Sequence, residues 1–249
     1  MDETINEIFK LLDKWVRHPK YQLERRADIF FAWYLPEIMK AIYDKNLSIM
    51  REHIIPEFPL RKGDSNESKN VDYAIFGEKT IYLVELKTTM DNVKDIKSKD
   101  IKYLLDARKT VEEDNGMRTL MKNICDIRDS SKQFKKYDTL LCNFENNDMN
   151  KRINNINHVK ILYLLPLNPY KHDKFKRSSI RETFKNNDIN IVSFDEIKEK
   201  LPVSTDILAK RFGESLDTWS KYESDKIYRY PNDEEIVNNL MWQNNFIEN

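Results

Sequence analysis

The sequence predicts an α/β protein: a mixed sheet flanked by helices, with a helical extension at the C-terminus. Residues 70–89, NVDYAIFGEKTIYLVELKTT, read as two strands joined by a short polar connection. From Leu23 to Ile42, apolar residues recur at steps of three and four, the mark of an amphipathic helix. Two short apolar runs, 159–165 and 189–194, follow a long helical stretch and read as further strands.

The elements follow in order. Helices come first, and the apolar stripe of the clearest one is Leu23, Ala27, Phe30, Phe31, Tyr34, Leu35, Ile38, Met39 and Ile42. Pro36 inside it is expected to kink or split the helix, because proline removes an N–H and crowds the preceding turn. Residues 53–60 form a first strand, and Pro56 and Pro59 direct it to a sheet edge or a bulge. Residues 61–70 are polar, contain Gly63, Asp64 and Ser65, and read as a flexible loop. The hairpin strands are 71–76 and 81–86, β-branched, aromatic and apolar. Helices are expected over 94–137. One run carries Ile96, Ile101, Leu104 and Leu105, another carries Leu120, Met121, Ile124 and Ile127, and Asn115-Gly116 breaks between them. Pro166 ends the 159–165 strand. Residues 1–198 are read as the core, with its N-terminal helices, and 199–249 as a helical extension packed on it.

The hairpin carries the chemistry. A symmetric closure on the loop 77–80 pairs Phe76 with Ile81. Counting outward, Ile75 faces Tyr82, Ala74 faces Leu83, Tyr73 faces Val84, and Asp72 faces Glu85. Lys87 lies two residues beyond Glu85 and shares its face, while Val84 and Leu86 point the other way, into a core. Carboxylates forced together repel, and they share a proton or bind a cation. A hard ion such as Mg²⁺ suits oxygen ligands. It can lower the pKa of a bound water and polarise a phosphoryl oxygen, and a nearby lysine can orient that water or stabilise negative charge. The alternative is a surface hairpin with one cross-strand Lys–Glu contact.

Asp72, Glu85 and Lys87 together resemble the PD-(D/E)xK nuclease superfamily, whose fold is called restriction-endonuclease-like. Asp72 matches the first acid and Glu85-Leu86-Lys87 the (D/E)-x-K, while Val71 stands where the family often has proline. The family core, helix, three strands, helix, strand, is similar to the order read over residues 20–195. The resemblance implies a Mg²⁺-dependent nuclease, with Mn²⁺ as a substitute, that leaves a 5′-phosphate. Asp72, Glu85 and the Leu86 carbonyl would be metal ligands, and Lys87 would orient the attacking water. Many members add a glutamate from the first helix. Glu24 is the candidate, with Asp28, Glu37 and Glu57 as alternates. Some branches carry Gln-x-x-x-Tyr on a later helix, and Gln133 and Tyr137 have that spacing. Thr88 is a candidate for holding the active-site loop or a metal-bound water. DNA is the expected substrate and RNA stays open, as do exonuclease and endonuclease action. The competing reading is a non-catalytic nucleic-acid-binding or interaction protein on the same fold. Family members often act as dimers or rings, so a homo-oligomer is open too.

Composition narrows the field. The chain has 249 residues, 40% of them hydrophobic, enough for one large domain or a core with an accessory lobe. No apolar run approaches the roughly 18 residues of a membrane span. The acidic start MDETINEIFK lacks signal-peptide character, so a cytoplasmic location is expected. Four scattered glycines make no nucleotide-binding loop. Four dispersed histidines make no zinc motif. The two cysteines, Cys125 and Cys142, are too few for an iron–sulfur cluster within one chain and are expected in or near the core. Basic and acidic residues balance at 42 each, so any nucleic-acid footprint must be local. Two local basic runs exist: Lys171, Lys174, Lys176, Arg177, Arg181 and Lys185, and Lys132, Lys135 and Lys136. Each is either a phosphate contact or a solvated face. The acidic stretch from Pro231 carries Trp242, Phe246 and Ile247, which would dock on the body or a partner.

Overall fold

Alternating apolar residues on either side of Gly77 close into an antiparallel hairpin of β2 (Ser68–Phe76) and β3 (Thr80–Leu86). This computed structural model describes residues 2–221 except 17, 19–21, 64–66, 90–91, 94–95, 114–115 and 176–178. Phe76 pairs with Ile81, Ile75 with Tyr82, Ala74 with Leu83 and Tyr73 with Val84, the register expected from the loop. The Gly77 N–H donates to the Thr80 carbonyl at 2.9 Å. A Cβ at position 77 would lie 2.8 Å from that oxygen, so the turn requires glycine.

Three more strands complete a mixed sheet in the order β1-β2-β3-β4-β5. β1 (Ile54–Arg61) runs antiparallel to β2 at one edge, where its two prolines are tolerated. β4 (His158–Leu165) and β5 (Ile189–Ser193) run parallel to β3. β2 begins earlier than the sequence suggests. Ser68, Lys69 and Asn70, expected in a loop, pair with Arg61, Leu60 and Pro59. Asp64 and Ser65 of that loop lie outside the described residues.

Helices flank both faces. α1 (Asp2–Trp15) and α2 (Leu23–Ile42) precede the sheet. The crossover from β3 to β4 holds α3 (Ser98–Glu113), α4 (Met117–Ser130), α5 (Phe134–Cys142) and α6 (Asn147–Asn155). α7 (Ser179–Asn186) leads into β5, and α8 (Phe194–Lys200) and α9 (Ile207–Ser220) follow it. On one face Ala74, Phe76, Leu83 and Ile161 pack with Ile101, Leu104, Leu120 and Ile124. On the other, Ile75, Val84 and Leu86 pack with Phe31, Leu35, Phe194 and Phe212. Among the described residues no helix is long and apolar enough to cross a membrane.

Four expectations need correction. α2 is not split at Pro36, which is buried within it beside Leu35, Ile38 and Met39. Packing on both sides holds the helix despite the lost bond. α6 was not legible, because NDMNKRINN is polar. Its start is fixed by Asn146, whose side chain accepts the Asp148 N–H, and it buries only Met149 and Arg152. Cys125 and Cys142 are exposed rather than near the core. They lie on the outward sides of α4 and α5, whose inward sides are taken by Ile124, Ile127 and the partly buried Leu140 and Leu141. The hairpin ladder also ends one pair short of Asp72 and Glu85.

The extension packs into the same cluster as α1 and α2 as far as it is described. Phe212 meets Phe31 edge-on at 5.1 Å and stacks on Tyr34 at 5.7 Å between centroids. The Tyr34 hydroxyl donates to Asp206 at 2.7 Å, and Asp206 also accepts the Ala209 N–H to cap α9. Residues 222–249, with Trp242, Phe246 and Ile247, lie outside the described residues. Phe212→Ala should cost about 3–5 kcal/mol in urea unfolding, as a fully buried aromatic does. A loss under 1 kcal/mol would make α9 a loose appendage instead.

Candidate active site

A row of acids crosses the sheet where its alternation breaks. Glu57 on β1 stands opposite Asp72 on β2 in the strand register, and Asp72 stands one step beyond the last β2–β3 pair, level with Glu85. Along β1 the residues packed against α3 and α4 change from Ile55 to Phe58 and Leu60. Along β2 they change from Ala74 and Phe76 to Val71, so both alternations slip at positions 57 and 72. Glu57 takes up the slip with a left-handed backbone, φ 49°, a conformation that strains a residue with a side chain. Like charges directly opposite on neighbouring strands repel, and the strand pairing gives way at this row.

Asp72 replaces the missing backbone partner. Its Oδ2 accepts the Leu86 N–H at 2.6 Å. β3 then leans on β4 instead, and the Lys87 N–H donates to the Leu164 carbonyl at 2.9 Å. This brings Lys87 back over the end of its own strand. Its ammonium donates to the Leu86 carbonyl at 2.8 Å and lies 2.9 Å from Glu85 Oε2, 3.6 Å from Asp72 Oδ2 and 3.9 Å from Glu24 Oε2. Glu24 arrives from the first turn of α2. The site therefore sits at the carboxyl end of β3, where helices from both faces of the sheet meet.

Burial sharpens the electrostatics. Asp72 is pushed up from 3.8 to about 7, first by burial, then by the Glu85 charge. Glu24 is also raised, by burial and by Glu85 and Glu57, with Lys87 opposing. Burial alone would lower Lys87, but Glu85, Asp72 and Glu24 outweigh it and hold its pKa well above the ordinary lysine value. Three carboxylates thus surround one ammonium, a set short of positive charge.

Two tyrosines lie beside Glu85, and neither was singled out from the sequence. The Tyr103 hydroxyl, from α3, donates to Glu85 Oε1. Tyr163 pairs with Glu85 across the parallel β3–β4 register and is buried beside it. Lys69 places its ammonium 4.2 Å from the Tyr103 ring centre and donates to the Asp100 carbonyl at 3.1 Å. Tyr103 lies within the apolar run of α3, where periodicity marks it as core. Its polar tip inside that run was the available signal.

The remaining candidates divide. Asp28 lies beside the site, but its carbonyl takes the Tyr73 hydroxyl and its carboxylate takes the Ile29 N–H. Glu37 is drawn away by Arg51 at 3.2 Å. Glu57 accepts from Asn70 Nδ2 at 3.2 Å. Gln133 stands just before α5 rather than within it, with no side-chain capping bond, and Tyr137, in the first turn, meets the Ser68 hydroxyl at 3.2 Å. Thr88 is buried and does not line the cleft. Three adjoining cavities, of about 360, 220 and 420 Å³, share Pro56, Glu57, Asn70, Glu24 and Asp72 as walls. Together they make one cleft that runs from Gln133, Lys136 and Tyr137 past the acids to Lys87 and Asp100. Of the other basic run, Arg181 is spent on the Pro169 and His172 carbonyls and Lys171 on Glu196. Lys176 and Arg177 lie outside the described residues.

Among the described residues no three carboxylate, imidazole or thiol groups stand close enough to hold a metal as they are. The donors nonetheless fit a hard cation. Asp72, Glu85, Glu24 and the Leu86 carbonyl supply only oxygens, and each places one within 3.9 Å of the Lys87 ammonium. Comparison with protein-family models, with curated proteins and with solved structures gives no match to this chain.

The raised Asp72 fixes the sign of a pH effect. Its folded-state pKa lies above the unfolded one, so folding favours the protonated acid. That contribution is full below about 3.8 and is lost as pH rises through about 7. Asp72→Asn keeps an acceptor for Leu86 and removes the charge. It should stabilise the metal-free protein at pH 8 by about 1–3 kcal/mol and leave it unchanged near pH 4. Thermal melts at the two pH values check this. A destabilised variant at pH 8 would mean that the Lys87 pairing outweighs the repulsion.

Proposed function

We propose that this chain is a metal-dependent nuclease with a restriction-endonuclease-like core, hydrolysing DNA phosphodiester bonds. The observation that carries the reading is the convergence of Glu24, Asp72, Glu85 and the Leu86 carbonyl on the Lys87 ammonium at the end of β3. A chance surface hairpin would leave these groups in solvent. Here Glu85 is 6% exposed, and burying a carboxylate that shares one ammonium with two other acids is costly, a feature that clusters at functional sites.

Asp72, Glu85 and the Leu86 carbonyl would hold Mg²⁺, or Mn²⁺ in its place, with Glu24 tuning the ion or holding a second one. When bound, such an ion polarises a phosphoryl oxygen and lowers the pKa of a water. Lys87 would give up its central position to the ion. It is held to the same oxygens by a flexible stem, so it stays within reach of the attacking water or the developing negative charge. Without the ion its carboxylate neighbours raise its pKa and keep it cationic, which suits charge stabilisation.

The cleft suits a polyanion on one side of the acids. Lys136, with Gln133 and Tyr137, lines the wall nearest β1, and Lys69 and Asn70 line the floor between that wall and Lys87. Amide, hydroxyl and ammonium groups of this kind grip a phosphate backbone without reading its bases. The neutral balance of the whole chain is no obstacle, because the positive charge is local.

The test is cleavage of linear, circular and single-stranded DNA with Mg²⁺ or Mn²⁺ against EDTA. The expected result is metal-dependent cleavage that falls at least about 100-fold in Lys87→Ala. The substrate panel separates exonuclease from endonuclease. If no substrate is cut and divalent ions leave the melting temperature unmoved, the reading fails, because an ion that binds only the native state must raise it. The acids would then serve a non-catalytic binding protein.

A further inference from the structure

The two oxygens of Glu85 have different neighbours. Oε2 faces the Lys87 ammonium at 2.9 Å, at the point where the other oxygens converge. Oε1 accepts the Tyr103 hydroxyl. Glu85 is 6% exposed and Tyr103 4% exposed, so neither group can turn to water instead. Tyr103 is itself held, between the packed Ile101 and Leu104 on α3 and the Lys69 ammonium over its ring. Asp72 is held differently: its Oδ2 both takes the Leu86 N–H and faces the Lys87 ammonium.

We propose that Tyr103 is a positioning residue that limits Glu85 to binding a cation through Oε2 alone, and so selects Mg²⁺ over Ca²⁺. The inference rests on the metal-dependent reading above and gives it a selectivity. Mg²⁺ demands near-octahedral geometry, takes one oxygen from each of one or two carboxylates and keeps waters. Ca²⁺ takes six to eight oxygens and commonly chelates a carboxylate through both. A chelating Glu85 would have to pull Oε1 away from Tyr103 and strand a buried hydroxyl, which is unfavourable. Partners that hold a metal ligand from behind fix its orientation and typically change metal affinity 10–100-fold when removed.

Tyr103→Phe removes the hydroxyl and keeps the ring. The measurement is calorimetric titration of wild type and variant with Mg²⁺ and with Ca²⁺, beside thermal melts without metal. In wild type, Mg²⁺ should bind more tightly than Ca²⁺. In Tyr103→Phe that preference should shrink by about tenfold or more, with Ca²⁺ gaining or Mg²⁺ losing. Tyr163→Phe is the control, since it removes a hydroxyl beside the same carboxylate, and it should leave the ratio unchanged. A wild type that binds neither ion overturns the metal-dependent reading itself. A wild type that binds Mg²⁺, with the same ratio in Tyr103→Phe, overturns only the role of Tyr103. If the variant does not melt cooperatively, a crystal structure of wild type soaked in Mn²⁺ decides. One Glu85 oxygen on the ion supports the inference, and two overturn it.

Discussion

Pairing Phe76 with Ile81 constrains everything at the cleft. Side chains alternate along a strand, so that one pair sets which residues of β2 and β3 enter each core. It sends Ile75, Val84 and Leu86 to α2 and α9, and Ala74, Phe76 and Leu83 to α3 and α4. It also brings Asp72 level with Glu85, beside Glu57 on the next strand. The apolar residues of two cores hold that register, and the acids at its open end cannot slip away from one another. The ladder yields there instead. Asp72 turns onto the Leu86 amide, Glu57 adopts a left-handed backbone, and Lys87 folds back among the oxygens. The site is the place where side-chain repulsion defeats backbone pairing.

The cluster is built to lack something. Lys87 sits among one buried and two half-buried carboxylates, and burial with the Glu85 charge raises Asp72 to about 7, which favours its protonated form. Arginine in place of Lys87 would fix a planar fork among these oxygens. Lysine is a single point charge on a flexible stem, so it can yield its place and stay near. On the proposed metal-dependent reading, that property lets the ammonium yield to an external cation and stay within reach.

The hairpin, its register, the edge strand with its prolines, and the two parallel strands were legible because each rests on local rules: period-two alternation, loop length and the missing proline N–H. Asp72, Glu85 and Lys87 were legible for the same reason, since parity along two strands is enough to put them together. What depended on distant partners was not legible. Tyr103 is 18 residues from Glu85, and only the docking of α3 joins them. Glu24 could not be told from Asp28 or Glu37 by sequence, because all three lie along one helix. The position of its first turn against the end of β3 separates them, as does the pull of Arg51 on Glu37. α6 failed the periodicity test because its inward face is nearly bare. It is held by Arg152, which bonds Asp148 and the Ser48 carbonyl, and by Asp148 reaching His53 at 2.8 Å. The exposed cysteines show the converse: a residue type that is often buried says little about which side of a helix it occupies.

The β1 edge has a consequence for how copies of this chain can meet. An open strand edge normally offers a row of N–H and C=O groups to any other extended segment, and so invites aggregation. Pro56 and Pro59 have no N–H to offer, and Glu57 between them bends the backbone out of extended geometry. A carboxylate at the kink adds charge to the same edge. Continuation of the sheet from one molecule into the next is therefore disfavoured at β1, which leaves the β5 edge or side-chain surfaces for any self-assembly.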